Sequence, residues 1–151
     1  MSVVEIKEFS TLRKIRDFTE SGNLKNLMDF YFDEKPNHEF DNELNKLYIS
    51  FSKYPFQVTI PNYESQMSMF FNFNSDKENS IVILDFLKPG TIIDDVFAKL
   101  GKPNFERGPI GGNMQSDKNS MVKYYVDQYS VAIDHYDGRV MSVSVFEDNY
   151  R

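Results

Sequence analysis

The chain has no cysteine and no tryptophan, and only two of its 151 residues are histidine. Without cysteine there is no disulfide, no thiolate metal site and no cysteine nucleophile. Long apolar runs are missing as well: no stretch approaches the roughly 20 residues needed to span a bilayer. The opening Met1-Ser2-Val3-Val4-Glu5-Ile6-Lys7-Glu8 lacks the basic start and apolar run of a signal peptide, so a cytoplasmic location is expected. Basic residues are in short supply, 17 Lys and Arg against 23 Asp and Glu, for a formal net charge of -6. A phosphate backbone selects Lys and Arg, which argues against nucleic acid as a partner. Solubility alone accounts for such acidity; the sharper reading is a basic protein drawn in by the field of the chain.

What is present is apolar and aromatic. Hydrophobic residues make up 40% and aromatic ones 15%, with fourteen Phe and nine Tyr, which argues against disorder. The length suits a single domain over 1–151, and no linker-like or low-complexity stretch divides it. The clearest element runs from Lys88 to Pro103. Ile93, Val96, Phe97 and Leu100 fall at i, i+3, i+4 and i+7, one apolar stripe of a helix over 91–100. Thr91 is the expected N-cap, Asp94 and Asp95 suit the positive end of the helix dipole, and Gly101 and Pro103 end the element.

Residues 1–54 read as mainly helical. Leu12, Ile15 and Phe18 share one face, and Leu24, Leu27, Met28 and Tyr31 another. Leu44, Leu47 and Tyr48 suggest a third helix from Asp41, although Tyr48 to Phe51 suits a strand equally well. From Pro55 the period changes to two. Phe56, Val58 and Ile60 make a strand, and Met67, Met69, Phe71 and Phe73 alternate with Ser68, Phe70 and Asn72. Ile81 to Leu87 reads as the returning central strand. The stretch from Asn104 to Asn119, with Gly108, Gly111 and Gly112, reads as a surface loop, since no Gly-Lys-Ser/Thr follows the glycines. Three strands close the chain, the last two joined by the hairpin signal Asp137-Gly138. The expected fold is therefore α+β. N-terminal helices pack on an antiparallel sheet of five or six strands, and the capped helix 91–100 lies between a hairpin and a C-terminal β-meander.

No residue pattern points to catalysis, and no catalytic residue, metal site or cofactor is expected. No serine stands in a Gly-x-Ser-x-Gly context. His38 lies in a polar, acidic loop, and His135 next to Asp134 points to the opposite face of a strand from it. The chain thus reads as no enzyme. Two acidic groupings interleaved with rings remain. One holds Asp29, Asp33, Glu34, Glu39, Asp41 and Glu43 near Phe30, Tyr31, Phe32 and Phe40. The other holds Asp134, Asp137, Glu147 and Asp148 with Tyr136, Phe146 and Tyr150. Carboxylates beside aromatic anchors suit a surface that binds a basic protein. Asp134, Tyr136, Asp137, Glu147 and Asp148 are the preferred contacts, because a hairpin holds them on rigid strands; Asp33, Glu34, Glu39 and Asp41 are secondary.

The segment Leu87 to Thr91 through Leu100-Gly101-Lys102-Pro103, followed by Tyr124-Tyr125 and the Asp-Gly hairpin, resembles a known group. It is similar to bacterial immunity proteins that neutralise polymorphic toxins, including those of contact-dependent growth inhibition. Many of these carry Gly-Thr/Ser-x-x-x-x-Val-x-x-x-Leu-Gly-x-Pro leading into a meander. The likeness covers the chain from about Pro55 onward. The same pattern occurs in β-lactamase-inhibitor-like domains and in small outer-membrane assembly lipoproteins, the latter with a lipobox cysteine that this chain lacks. The resemblance implies a cytoplasmic inhibitor that covers the active site or substrate surface of a basic toxin domain, a nuclease. Such families share no catalytic residues, so no residue role carries over. The alternative is a small-ligand-binding α+β domain with Phe70, Phe71, Phe73 and Tyr124 lining its pocket.

Overall fold

Alternation at period two governs most of the described residues, including those from Asn37 to Ser50, where the spacing of the leucines suggests a helix. The computed structural model describes residues 3–6, 37–44, 46–61, 68–108, 119–126 and 129–147. Within them are β1 (Val3–Ile6), β2 (Asn37–Asp41), β3 (Lys46–Ser50), β4 (Phe56–Pro61), β5 (Ser68–Asn72) and β6 (Ser80–Ile83). A helix, α1 (Ile93–Leu100), follows, then β7 (Phe105–Arg107), β8 (Asn119–Val126), β9 (Tyr129–Tyr136) and β10 (Arg139–Glu147). Eight strands form one antiparallel sheet in the order β2-β3-β4-β5-β10-β9-β8-β7. It is two four-stranded meanders joined at their last strands, with Phe71 opposite Val143 and Met69 opposite Val145.

This overturns the expectation of N-terminal helices packed on five or six strands. The described part of 1–54 contributes strands β1, β2 and β3, and α1 is the one helix among the described residues. The helical spacings at Leu12 to Phe18 and Leu24 to Tyr31 lie outside the described residues. The supposed helix from Asp41 is the turn of a hairpin between β2 and β3. Its cause is local. Asp41 Oδ1 accepts from the amides of Glu43 at 2.9 Å and Leu44 at 3.1 Å, which offers the backbone a turn in place of a helical start. Leu47 and Ile49 then face the core, while Tyr48 points the other way.

Ile81 to Leu87 also departs from expectation. β6 pairs in parallel with β1, Val3 opposite Ser80 and Ile6 opposite Ile83, outside the large sheet. The chain then reverses through Leu84 and Asp85, at φ 54° and 71°, closed by mutual backbone hydrogen bonds between Ile83 and Leu87. Two non-glycine residues in the left-handed region cost roughly 1–3 kcal/mol each, so the bonds that hold them matter.

The helix keeps its apolar stripe and loses its expected cap. Ile93 and Val96 are buried, and Phe97 and Leu100 pack against the same core. Gly101, at φ 79°, donates its N–H to Phe97 O at 2.9 Å. The N-cap position is Ile92, two residues before Asp94. Thr91 instead turns its hydroxyl back, accepting from Lys88 N and donating to Phe86 O, both at 3.1 Å. It thereby satisfies the loop before the helix. The Ile93 amide donates to Gly138 O at 2.7 Å, which ties the helix start to the β9–β10 turn.

One core holds these parts together. Inward-facing Val58, Met69, Phe71, Val122, Val131, Ile133, Val143 and Val145 meet Ile6, Ile81 and Ile83 of the small sheet and Val96 of α1. Among the described residues no element packs on the other face of the large sheet, where Phe70 and Phe146 are exposed and Ser130 is buried between its neighbours.

Candidate functional site: the open face of the sheet

Register decides what that open face displays. Starting at β2, Glu39 lies opposite Tyr48, Tyr48 opposite Thr59, and Thr59 opposite Ser68. Ser68 is opposite Phe146, Phe146 opposite Ser130, and Ser130 opposite Tyr125. The next row carries Asn37, Ser50, Gln57, Phe70, Ser144, Ala132, Lys123 and Phe105 in the same way. A third holds Asn72, Ser142, Asp134, Met121 and Arg107. The floor is thus small and hydroxylic, and rings stand up from it.

Two of those rings sit where the meanders join. Phe70 is 41% exposed and Phe146 is 42% exposed, on neighbouring central strands β5 and β10. Because Phe70 pairs with Ser144 and Phe146 with Ser68, the two are diagonal neighbours, a spacing that aromatic side chains can bridge. Tyr125 and Phe105 are exposed toward the β7 end, where Lys123 Nζ lies 5.9 Å from the centre of the Phe105 ring.

The β2 end is acidic. A shallow open depression of about 970 Å3 lies there, lined by Asn37, Glu39, Phe40, Asp41, Asn42, Glu43, Tyr48, Ser50 and Gln57. Lys46 is opposite Asp41 on the neighbouring strand. Charge therefore grades across the face, from Glu39 and Asp41 to Arg107 and Lys123.

The sequence-derived candidates divide unevenly. Glu39 and Asp41 fall on the open face, and so do Asp134 and Tyr136 by the alternation of β9. Asp134 is half-buried and its Oδ2 accepts from Ser142 Oγ at 3.2 Å. Asp137 sits in the hairpin turn at φ 51°, followed by Gly138 at φ 82°, the left-handed pair that the Asp-Gly signal anticipates. Glu147 pairs with Tyr129 at the far end of the same hairpin. The seven residue steps from Tyr129 to Tyr136, at about 3.3 Å each, separate the two ends by roughly 23 Å. Asp137 and Glu147 therefore do not form one cluster. Asp33, Glu34 and Asp148 lie outside the described residues.

The alternative pocket is not assembled. Phe71, Phe73 and Tyr124 are buried in the core, whereas Phe70 stands on the opposite face of β5. The Tyr124 hydroxyl donates to Gly101 O at 2.7 Å, closing the end of α1. Burial raises its pKa, with the Glu106 carboxylate adding to the effect.

Sequence reasoning overlooked Tyr48 and Tyr125 and put Phe70 in a pocket. One signal was available: Phe70 and Phe146 are large rings in the polar half of alternating stretches, between Ser68 and Asn72 and after Ser142 and Ser144. Their pairing was not visible, because β5 and β10 are distant in the chain.

His135 lies on the core side, at the edge. Its Nδ1 is buried without a hydrogen-bond partner among the described residues. Burial lowers its pKa from 6.5, and the carboxylates of Asp134 and Glu106 only partly oppose that. The folded state thus binds the proton less readily than the unfolded one. Stability from this group is present above about pH 6.5 and is lost as pH falls through the lower folded value. His135→Gln is expected to flatten the pH dependence of the urea midpoint below pH 6.5. An unchanged slope would show that other groups set it.

No group of three or more His, Asp or Glu among the described residues is placed to hold a metal. No described helix is long and apolar enough to cross a membrane. Compared with known protein families, curated proteins and solved structures, the chain matches none.

Proposed function

We propose that this chain is an immunity-type inhibitor that binds a basic toxin domain, a nuclease, by laying the open face of its sheet over the toxin's active site or substrate surface. The observation that carries this reading is the pair Phe70 and Phe146, exposed at the centre of a polar sheet face with carboxylates toward its margins. Large rings ringed by polar groups are what a protein interface uses for affinity. Glu39, Asp41 and Asp134 add a field that a phosphate-binding surface, positive by necessity, would meet favourably. The resemblance of Gly90 to Pro103 to immunity proteins supplies the partner class, and a cytoplasmic site of action goes with it.

The experiment is co-expression with the product of the adjacent reading frame. Restored growth and a purified complex that dissociates when Phe70 and Phe146 are both changed to Ser are expected. A neighbour that is not toxic and forms no complex would sink the proposal. A complex untouched by the double substitution would remove the sheet face from it.

A further inference from the structure

Among the described residues β2 is the outermost strand at its end of the sheet, paired on one side only, to β3. In an antiparallel pair, every second residue of an edge strand aims its backbone N–H and C=O away from its neighbour. β2 is also long enough to accept a partner strand, five residues against three for β7 at the opposite edge. Its two faces differ. Glu39 and Asp41 stand on the open face, while Phe40 lies on the other and is 47% exposed.

We propose that β2 is a strand-accepting edge that adds an extended segment of the partner to the sheet, and that this segment alternates basic and apolar residues. This rests on the reading of the chain as a binder of a basic protein. Backbone hydrogen bonds along β2 would hold the segment, and side chains would select it. Basic residues fall beside Glu39 and Asp41; the apolar ones between them fall beside Phe40. A second copy of this chain is the wrong occupant. Antiparallel self-pairing centred on Glu39 sets Glu39 against itself, and parallel self-pairing in register sets both Glu39 and Asp41 against their own kind. Like charges directly opposite one another destabilise a strand pair.

Amide exchange on the full 15N-labelled chain tests this, with a synthetic peptide alternating Lys and Val as the probe. Saturating peptide is expected to slow exchange at alternate β2 amides by about tenfold or more, while a Glu-Val peptide leaves them unchanged. Methylating the backbone nitrogens on one edge of the Lys-Val peptide is expected to abolish the effect. Glu39→Lys together with Asp41→Asn is expected to weaken the peptide by about tenfold, the asparagine keeping the oxygen that caps the turn. Peptide binding without protection of β2, or indifference to methylation, would overturn the edge pairing. So would a failure of the peptide to bind. None of these touches the dependence of the toxin complex on Phe70 and Phe146, so the two readings fail separately.

Discussion

Phe71→Ala is expected to lower the unfolding free energy by about 3–5 kcal/mol, the cost of emptying a buried aromatic site. Phe71 is fully buried, its ring centre lies 5.1 Å from that of Phe56, and Phe56 in turn stacks on Phe51 at 5.7 Å. In register it pairs with Phe56 on one side and Val143 on the other, so it sits at the seam where the two meanders join. A domain of this size has only about 5–15 kcal/mol to lose. The neighbouring substitution Phe70→Ala is expected to cost about 1 kcal/mol or less, because its ring is partly in water. Urea midpoints of the two variants measure the difference directly. A larger loss for Phe70 would mean that β5 faces the other way, since a shift of one residue exchanges the two sides of a strand.

That contrast marks what the sequence makes legible. Met69, Phe71 and Phe73 alternate with Ser68, Phe70 and Asn72, and the structure buries all three of the first set. The stripe of Ile93, Val96, Phe97 and Leu100, and the glycine after it, read correctly because helix geometry is local. So did Asp137-Gly138, whose residues both adopt positive φ. What failed was either local competition or distance. Leu44, Leu47 and Tyr48 carry a helical spacing, but the Asp41 side chain captures two amides and turns the chain first. Thr91 suits an N-cap, yet its hydroxyl serves Phe86 and Lys88. The pairing of β1 with β6 joins residues far apart in the chain, and no local period encodes it. The candidate site suffers from the same blindness. Glu39, Phe70, Asp134 and Phe146 share a face only because β3, β4, β5, β10 and β9 bring them into register. Read along the chain, Glu39 belongs to one grouping, Asp134 and Phe146 to another, and Phe70 to neither.

The charges on that face lead to the second large effect. Replacing Glu39 by Gln, Asp41 by Asn and Asp134 by Asn is expected to slow association with a basic toxin domain by about tenfold or more at low salt. These replacements keep shape and side-chain oxygens, which matters because Asp41 caps a turn and Asp134 accepts from Ser142. Thermal unfolding therefore checks that the sheet survives. Because screening acts on the same field, the triple variant is also expected to lose most of the salt dependence of the association rate. Dissociation changes less, since it is governed by the rings at the centre of the patch. Asp137→Asn is the control: it lies in the hairpin turn at the end of β9 and, on this geometry, changes the rate by no more than about twofold. The charge grade sharpens the test further. Lys123 and Arg107 stand toward the β7 end of the same face, so Lys123→Gln is expected to leave the rate unchanged or raise it. Stopped-flow association rates across a salt series separate these outcomes. If Asp137→Asn slowed association as much as the triple did, the contact would lie at the hairpin tip and not on the open face.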